Sequence, residues 1–312
     1  MELIRGLVNL RPWHRGCVAT IGAFDGVHLG HQAVMGQLLR AAKAHDLPSA
    51  VILFEPLPAE YFAPLQSPAR LMTLREKYLA ISALGIDRLL CLRFNPQLQQ
   101  MGARRFVERV FIDGLGIKHA VIGDDFRFGN DRQGDLALIR DIGAKQGFSA
   151  EPTDTVEMDG QRVSSTRIRE ALAVADFAQA ERLLGRAFTM SGKVVYGRQL
   201  GRSLGFPTAN IELCRLRAPL SGVFAVRLAV DGEAEVYCGV ANIGTRPTVN
   251  ESIKANLEVH LLDVNRNIYG RRVTVSFCQK LRDEQKFASI EALQTQIGID
   301  SDQSRAYFAA CE

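Results

Sequence analysis

Two histidines in a glycine-rich stretch near the N-terminus are the first residues that could do chemistry. His28 and His31 follow an apolar run at 17–21 and a loop that contains Gly22 and Gly26. A helical pattern begins at His31, so the stretch reads strand, glycine loop, helix. This arrangement directs backbone N–H groups and the positive end of a helix dipole at an anion, and both imidazoles could donate to phosphoryl oxygens. A nucleotide phosphate site is favoured here over a simple turn.

Two further clusters combine charge and hydroxyl groups at the ends of predicted elements. The stretch Gly123-Asp-Asp-Phe-Arg-Phe-Gly129 follows a predicted strand, and Val163-Ser-Ser-Thr-Arg-Ile-Arg169 precedes a helix predicted at 170–173. A turn explains the glycines of the first cluster but not an arginine between two aromatic rings. A helix cap needs one hydroxyl, whereas the second run has three beside two arginines, which favours a second phosphate cradle.

The second half of the chain contains one possible metal site and one carboxylate on a strand. Thr208 and Asn210, in a stretch that reads as a loop from Gly201, offer neutral oxygens that suit a Mg²⁺ ion shared with phosphates. Taken alone, a turn whose side chains bond to their own backbone is the better reading. Glu258 alternates with Leu257 and Val259, so it lies on the opposite face of a predicted strand, which is usually a solvated face.

The elements that must position these residues change character along the chain. In the first part, buried strands predicted at 17–21, 50–54, 88–92 and 120–123 alternate with helices predicted at 73–84, 104–112 and 136–144. This alternation predicts a doubly wound parallel sheet, with ligands bound beyond the carboxyl ends of its strands. The segment 56–68 is predicted to be a long loop, on which Tyr61 and Phe62 either stack on a planar ring or pin the loop.

Beyond a closing helix at 176–185, short β-rich runs with a two-residue period predict a small antiparallel barrel. These runs are 194–196, 223–230, 236–240, 257–262 and 273–277. A helical pattern follows at 290–297 and again up to Phe308. We therefore predict an α/β domain at 1–185 and an all-β domain with a C-terminal helix at 186–312.

The composition is that of an ordinary soluble globular protein. The 312 residues are 47% apolar and 23% charged, with a formal net charge of +4 that suits small anionic molecules and forms no basic stripe for nucleic acid. No apolar run is long enough to span a membrane and no signal peptide is evident. Six scattered cysteines without zinc spacing predict reduced thiols and a cytoplasmic protein. The oligomeric state stays open, and a homo-oligomer is one possibility.

The motifs together resemble a known family. The stretch Gly22-Ala-Phe-Asp-Gly-Val-His-Leu-Gly-His31 looks like the ATP-binding signature of nucleotidylyltransferases, and Val163–Arg169 is similar to their Ser-Ser-Thr-x-Ile-Arg signature. The run Pro-Thr-Ala-Asn at 207–210, in a Gly-Arg-x-x-Gly-Phe context, resembles the riboflavin kinase motif. The motifs occur in the order found in bacterial bifunctional riboflavin kinase/FAD synthetases, and the resemblance covers nearly the whole chain.

The resemblance implies site residues for an N-terminal FMN adenylyltransferase. Those implied to bind ATP are Gly22, Phe24, Asp25, Gly26, His28, Gly30, His31, Ser164, Ser165, Thr166 and Arg169. Those implied to contact the flavin are Phe62, Asp125, Phe126, Arg127 and Phe128. His28 and His31 would stabilise charge that develops on the phosphates, and no protein nucleophile is required because the phosphate of FMN attacks directly.

For the C-terminal riboflavin kinase, the resemblance implies that Glu258 is the general base. The residues implied to bind ATP are Gly192, Lys193, Gly201, Pro207, Thr208 and Asn210, of which Thr208 and Asn210 also hold Mg²⁺. The residues implied to hold the flavin are Arg246, Arg282 and Glu284. Riboflavin, FMN and ATP are the expected substrates.

Two alternatives use the same motifs differently. The barrel could bind flavin only as a sensor, with one active domain or none, but a sensor would not require Thr208, Asn210 and Glu258. The first domain could instead adenylylate another acceptor, such as a pantetheine phosphate or a nicotinamide nucleotide, beside an inactive barrel. The kinase-like barrel argues against that second alternative.

Overall fold

The computed structural model of the chain describes residues 1–130, 132–197, 205–247, 253–264 and 266–311. The chain divides into two compact units, Met1–Pro68 with Leu74–Ser164, and Ala69–Thr73 with Ser165–Glu312. The boundary near residue 186 remains a prediction about where the two domains divide. Among the described residues, no helix has the length and apolarity needed to cross a membrane. All six cysteines are free thiols.

A six-stranded sheet forms the centre of the first unit. Every neighbouring pair in its order, β1-β4-β3-β2-β5-β6, is parallel. The strands are β1 (Glu2–Arg5), β2 (Val18–Ile21), β3 (Ser49–Glu55), β4 (Arg88–Arg93), β5 (His119–Ile122) and β6 (Ser149–Pro152). Strands β2, β3 and β5 are buried almost throughout, as expected for parallel strands covered on both faces. The predicted parallel sheet is confirmed, and β1 is a strand that the sequence analysis missed.

The order of the strands determines where a ligand can bind. The chain runs from β2 through β3 to β4 and then continues as β5 on the other side of β2. The strand order therefore reverses between β2 and β5, and sheets of this kind bind ligands outside the carboxyl ends of the strands at such a point. The glycine loop follows β2, and the cluster at 123–129 follows β5.

The helices of the first unit differ from the predictions at 56–68, at 96–99, where no helix is predicted, and at 104–112. The helices are α1 (Leu29–His45), α2 (Pro58–Phe62), α3 (Leu74–Ala83), α4 (Pro96–Gln99), α5 (Ala103–Phe106) and α6 (Leu136–Gln146). Short 3-10 turns lie at Leu7–Asn9 and Pro12–His14, and strands β7 (Glu157–Met158) and β8 (Gln161–Arg162) form a hairpin. The predicted loop at 56–68 is wrong in part, because Pro58 provides the fixed φ of a helix start and α2 forms there. The helix predicted at 104–112 begins as α5 but continues as a π-helix, Val107–Gly114.

The second unit is a closed antiparallel barrel with helices before and after it. Helices α7 (Ser165–Ala173) and α8 (Phe177–Leu184) precede the barrel, and α9 (Ile290–Ala309) follows it as one continuous helix. The barrel order is β10-β13-β12-β11-β14-β9. Its strands are β9 (Thr189–Val195), β10 (Thr208–Glu212), β11 (Gly222–Val230), β12 (Val236–Pro247), β13 (Ile253–Leu261) and β14 (Arg272–Arg282). The predicted barrel and its terminal helix are confirmed.

Apolar residues at alternate positions fill the barrel. Leu257 and Val259 on β13 are fully buried, whereas Glu258 between them is half-buried. The rings of Phe224 and Phe277 meet edge to face at 5.5 Å, and Phe177 of α8 packs against both. This alternation leaves the polar residues of β13 on one face, where they can form a site.

Candidate active sites

The glycine loop of the first unit has an unusual backbone. Phe24 and Val27 have φ of +46° and +41°, and Gly26 between them has φ of +95°. Such conformations cost a non-glycine residue about 1–3 kcal/mol and persist only where the surroundings hold them. The loop therefore turns back tightly at the carboxyl end of β2, as the spacing of its glycines predicts. Asp25 within it is buried.

His28 and His31 form a stacked pair at the start of α1. His28 is the N-cap of α1, and its Nδ1 accepts a hydrogen bond from the backbone N–H of His31 at 3.3 Å. The two rings stack with their centroids 3.6 Å apart and their planes at 18°. A ring nitrogen that accepts a hydrogen bond carries no proton, so neutral His28 has its proton on Nε2. Both histidines lie together at the helix start, as predicted, and His28 is also the cap of that helix.

Gly30 lies in close contact with the His28 ring. A Cβ at position 30 would lie 3.1 Å from the His28 ring and 3.4 Å from the Val163 carbonyl oxygen. A side chain there would require the His28 ring to shift by a few tenths of an ångström. Gly30 therefore permits the stacked pair through a close approach, without a left-handed backbone conformation.

His31 is held in its neutral form. Burial, followed by the positive charges of His28, Lys77 and Arg162, lowers the pKa of His31 well below its ordinary value. Its Nδ1 is buried and has no hydrogen-bond partner among the described residues. The edge of Phe24 meets the His31 ring at 5.3 Å. At neutral pH, His31 is therefore a neutral hydrogen-bond donor and not a permanent cation.

The loop after β5 is tied to the β7–β8 hairpin. Arg162 on β8 donates to Asp125 Oδ2 at 3.0 Å and lies 3.8 Å from Asp124. Arg127 donates to the carbonyl oxygens of Asp124 and Phe126, and its side chain stays exposed. The sequence analysis did not single out Arg162, which carries the positive charge that faces both this loop and His31.

The aromatic residues predicted to contact flavin lie in different surroundings. Phe126 stacks on Phe128 with centroids 5.4 Å apart, but Phe128 is only 6% exposed and packs on Phe106 in the core. Phe62 is 59% exposed, and with Tyr61 and Phe94 it forms a cluster of edge-to-face rings at 5.1–5.6 Å. Phe62 and Phe126 therefore have accessible ring surface, whereas Phe128 supports the loop from within.

The Ser-Ser-Thr run lies at a helix start earlier than predicted. The helix predicted at 170–173 begins at Ser165, so Ser165, Thr166 and Arg169 lie inside α7 and Ser164 comes directly before it. This earlier start is expected, because serine and threonine readily occupy the first turn beside a cap. Arg169 Nε donates to the Ala69 carbonyl oxygen at 2.6 Å within the second unit.

In the second unit, Thr208 and Asn210 are strand residues. The predicted loop is wrong for these positions, because Thr208–Glu212 pairs with β13 on one side and with β9 on the other. Thr208 and Asn210 lie two residues apart and therefore share a face of β10. Asn210 is buried, and a Cβ on Gly197 would overlap its amide group. Gly201 of the predicted site lies outside the described residues.

Glu258 lies in a row of amide side chains. On the two strands that neighbour β13, the residues directly opposite Glu258 are Asn210 of β10 and Asn242 of β12. Asn256, two residues earlier on the same face, donates to Glu258 Oε1 at 2.9 Å. Directly opposed residues have Cβ atoms about 4.5–5.5 Å apart, so Glu258 and the predicted metal ligands form one polar surface. Glu258 therefore has polar neighbours on its face of the strand, whereas alternation alone indicates only a solvated face.

A cavity opens beside Thr208. It has a volume of about 460 Å³ and an apolar lining that includes Val194, Leu261 and Ile268. Tyr269 stands at its wall and stacks on exposed Tyr196 with centroids 4.1 Å apart. The polar groups of Thr208, Arg266 and Asn267 also line this cavity, which therefore combines apolar and polar walls.

Other residues of the predicted kinase site have mainly local partners. Gly192 on β9 could not carry a Cβ, because the carbonyl oxygen of Glu212 on β10 occupies that space. Lys193 is exposed beside it. Pro207 is exposed, and its carbonyl oxygen lies 2.9 Å from His260 Nδ1.

The predicted flavin-binding arginine Arg282 is held by an ion pair. Its guanidinium makes a bidentate contact with Asp300 of α9 at 2.8–3.2 Å, and Gln296 donates to the same carboxylate. Asp300 is 2% exposed and was not singled out from the sequence. The Glu284 carboxylate lies against the backbone of Gly244. Arg246 lies on β12, and its side chain is outside the described part of the chain.

The oxygen-rich face of β10 fits a hard divalent cation. Thr208 and Asn210 supply neutral oxygens, which suit Mg²⁺ when phosphates provide the negative charge. Among the described residues, no group of three or more His, Cys, Asp or Glu side chains could hold a metal ion. A metal held by this face would therefore share its coordination with a nucleotide.

Comparisons with known proteins match both units. Residues 10–167 match the family model of FAD synthetase, and residues 184–308 match that of riboflavin kinase. A bifunctional riboflavin kinase/FMN adenylyltransferase from Pseudomonas fluorescens is 54% identical over 309 residues, which cover 99% of this chain and 98% of that protein. The protein of the same description from Escherichia coli K12 is 46% identical with the same coverage.

A solved structure matches across the same length. The crystal structure of a protein described as a macrolide-efflux protein, from Streptococcus pneumoniae, covers 98% of this chain and 99% of its own with a TM-score of 0.77 and 29% identity. The sequence matches span both units in the order that the motifs predict. The chain belongs to the family of bifunctional riboflavin kinase/FMN adenylyltransferases.

Proposed function

We propose residue roles for the two reactions of this bifunctional riboflavin kinase and FMN adenylyltransferase. The enzyme phosphorylates riboflavin to FMN with ATP and adenylylates FMN to FAD. The stacked His28–His31 pair carries the first assignment, and the Asn210–Glu258–Asn242 row carries the second. The two reactions are assigned to different residues, so each reaction can be tested separately.

In the first unit, the phosphate of FMN attacks the α-phosphorus of ATP. A P–O bond forms to FMN while the bond to the β-phosphate oxygen breaks and pyrophosphate leaves. Negative charge grows on the bridging and non-bridging oxygens, where hydrogen-bond donors fixed in advance contribute most. We assign this role to the Nε2–H groups of His28 and His31, together with the start of α1. Gly22, Phe24, Asp25, Gly26 and Gly30 shape the loop that positions them.

The Ser164–Arg169 run is assigned to the phosphates of ATP in the same reaction. Serine and threonine hydroxyls at the start of α7 and the charge of Arg169 suit phosphoryl oxygens. Arg169 also donates to the Ala69 carbonyl oxygen, which restrains its guanidinium. The proposal therefore includes Ser164, Ser165, Thr166 and Arg169.

Flavin contacts in the first unit are assigned to accessible aromatic and polar groups. Phe62 has a largely exposed ring that a planar isoalloxazine could stack on. Asp125, Phe126 and Arg127 lie on the loop after β5, beside the reversal of strand order. Phe128 is given a supporting role, because its ring packs in the core beneath Phe126.

In the second unit, Glu258 is assigned as the general base of phosphoryl transfer. Its carboxylate accepts the proton of the riboflavin 5′-hydroxyl as the oxygen bonds to the γ-phosphorus and ADP leaves. Thr208 and Asn210 would hold Mg²⁺, which when bound neutralises charge on the ATP phosphates. The cavity beside Thr208 has apolar side chains against which the adenine ring could pack, and Gly192, Lys193 and Pro207 are assigned to the same nucleotide. Arg246, Arg282 and Glu284 are assigned to the flavin.

One assay tests the proposal as a whole. The purified protein is incubated with riboflavin, ATP and Mg²⁺, and the flavins are separated by chromatography over time. We expect FMN to appear first and FAD afterwards, and chelation of the divalent cation to stop FMN formation. FMN that forms at the full rate after chelation would remove the metal role of Thr208 and Asn210.

A further inference from the structure

A fully buried lysine lies beneath the glycine loop of the first unit. Lys77 on α3 is 0% exposed, although lysine is almost never fully buried unless its ammonium has polar partners. Removing an ammonium from water is costly, so a buried lysine is retained only where its charge or its hydrogen bonds are used. The roles proposed above for the two reactions do not include Lys77.

The ammonium group is bonded to the loop at its bend. Lys77 Nζ donates to the carbonyl oxygen of Ala23 at 2.9 Å. Ala23 directly precedes Phe24, whose φ of +46° is unfavourable for a side chain. A hydrogen bond from a charged donor is stronger than a neutral one, and in a dry interior it is stronger still. The bond to Lys77 therefore holds the peptide next to the strained residue.

Contacts continue from the loop to the histidine pair. The Phe24 ring meets His31 edge to face at 5.3 Å, and His31 stacks on His28. A shift of the Ala23 peptide would move Phe24 and with it the surface on which His31 rests. The charge of Lys77 also faces the His31 imidazole, together with His28 and Arg162. Lys77 is thus connected to the pair by both packing and charge.

We propose that Lys77 is a positioning residue for adenylyl transfer, whose buried ammonium holds the Ala23 carbonyl and so fixes the loop that presents His28 and His31 to ATP. The inference rests on the proposed function of that pair. Because Lys77 is fully buried, its role is to act through the loop and not on the substrate directly. Burial and, after it, the charges of His28, Lys77 and Arg162 lower the pKa of His31, so that the ring is neutral and donates one hydrogen bond.

The test is Lys77→Met, which keeps an unbranched side chain and removes the ammonium. Misplacement of catalytic groups by about 1 Å costs about 10²-fold in rate, so we expect a loss of that order in kcat/KM for FMN adenylylation. The acid limb of the pH–rate profile should move to higher pH, because His31 loses one of its positive neighbours. Lys77→Arg keeps a charged donor and should keep the parent's acid limb.

Three controls make the outcome decisive. Lys43→Met changes an exposed lysine of α1 and should leave adenylylation unchanged. Riboflavin phosphorylation, measured in the same samples, should stay within twofold of the parent. Far-ultraviolet circular dichroism, compared with that of the parent, reports whether the first unit with its helices α1 to α6 is folded. If Lys77→Met unfolds this unit, the Lys77→Gln variant is tested in its place. We expect its acid limb to move to higher pH as well.

Two results would overturn the inference. One is a folded Lys77→Met protein with the parent's adenylylation rate, and the other is a reduced rate with an unmoved acid limb. A His28→Asn, His31→Asn double variant separates this failure from that of the proposed function. If the double variant also makes FAD at the parent's rate, the histidine assignment itself is wrong.

Discussion

Asn210 on β10 and Glu258 on β13 are directly opposed cross-strand partners, with Asn242 of β12 on the other side of Glu258. The pairing brings together the proposed metal ligand Asn210 and the proposed general base Glu258. Residues 48 positions apart in the sequence meet because the barrel register aligns them. Three predictions concern this unit, and two concern the first unit.

Glu258→Gln should stop riboflavin phosphorylation without unfolding the barrel. Glutamine has the same size and can still accept from Asn256, but it cannot take a proton from the flavin hydroxyl. Loss of a general base costs about 10²–10⁴-fold in kcat. Steady-state assays of FMN formation measure this loss, and calorimetry should show near-normal ATP affinity.

The matched control for this variant is Glu235→Gln, which changes a carboxylate 69% exposed at the start of β12. It should leave both reactions unchanged. If Glu258→Gln keeps kinase turnover within a few-fold of the parent, the carboxylate is not the base.

Thr208→Val should raise the Mg²⁺ requirement of the kinase. Valine matches the shape of threonine and suits a β-strand, so the change removes one oxygen and little else. Loss even of an outer partner of a metal costs about 10–100-fold in affinity, and we expect at least the lower value. Riboflavin phosphorylation is titrated with Mg²⁺ at fixed ATP. Thr274→Val, at a half-buried position of β14, should leave the titration unchanged.

Asp300→Asn should destabilise the second unit more than removal of the whole ion pair does. The single change leaves the Arg282 guanidinium without its carboxylate, whereas Arg282→Met with Asp300→Leu removes both charges. Breaking a buried pair costs about 3–5 kcal/mol, and the low end applies because the Arg282 side chain is 20% exposed. Urea unfolding followed by circular dichroism measures the free energy of unfolding of each variant and shows which of the two is less stable. A double variant less stable than Asp300→Asn would contradict the prediction.

The N-terminal sheet could be predicted because its strands are short apolar runs bounded by glycine and proline. The glycines at 22–30 indicate a tight loop before a helical pattern, so the region in which α1 begins could be predicted as well. Lys77 was not, because nothing near it in the sequence shows that α3 places its ammonium under Ala23. Its burial depends on long-range packing, which periodicity does not report.

In the second unit too, local features could be predicted from the sequence, whereas features that depend on long-range contacts could not. Alternation predicted that Glu258 faces away from Leu257, since a strand's period is local. The sequence predicts a loop over 201–210 because it contains glycines and a proline, whereas pairing with β9 and β13 makes Thr208 and Asn210 part of a strand. Asp300 likewise gains its role from contact with Arg282, 18 residues earlier in the chain.

Replacing the histidine pair should separate the two activities. His28→Asn keeps an N-cap acceptor for α1, whereas alanine would lose about 0.5–2 kcal/mol of capping. Combined with His31→Asn, it removes both imidazole donors, and loss of even one such donor costs about 10²–10³-fold. FMN should no longer become FAD, while riboflavin still becomes FMN. His45→Asn, at the exposed end of α1, is the control and should retain both reactions.

The pKa of His31 should depend on whether nucleotide is bound. In the free protein, burial and the charges of His28, Lys77 and Arg162 lower it well below 6.5. The unfolded chain therefore binds a proton below pH 6.5 that the folded unit does not, and the free energy of unfolding falls as pH decreases, by at most about 1.4 kcal/mol per pH unit. Bound phosphates would bring negative charge to the ring and raise its pKa.

Nuclear magnetic resonance of the His31 imidazole carbons tests this directly. Without nucleotide, the His31 signal should not titrate between pH 7.5 and 6, whereas an exposed histidine does. With a non-hydrolysable ATP analogue, the midpoint should move upward, and calorimetry at pH 6 in buffers of different ionisation enthalpy should detect proton uptake. The His31→Asn variant should lose that uptake. A His31 signal that titrates near 6.5 in the free protein would show that the ring is not held neutral, and the charges of Lys77 and Arg162 would then be too well screened to act on it.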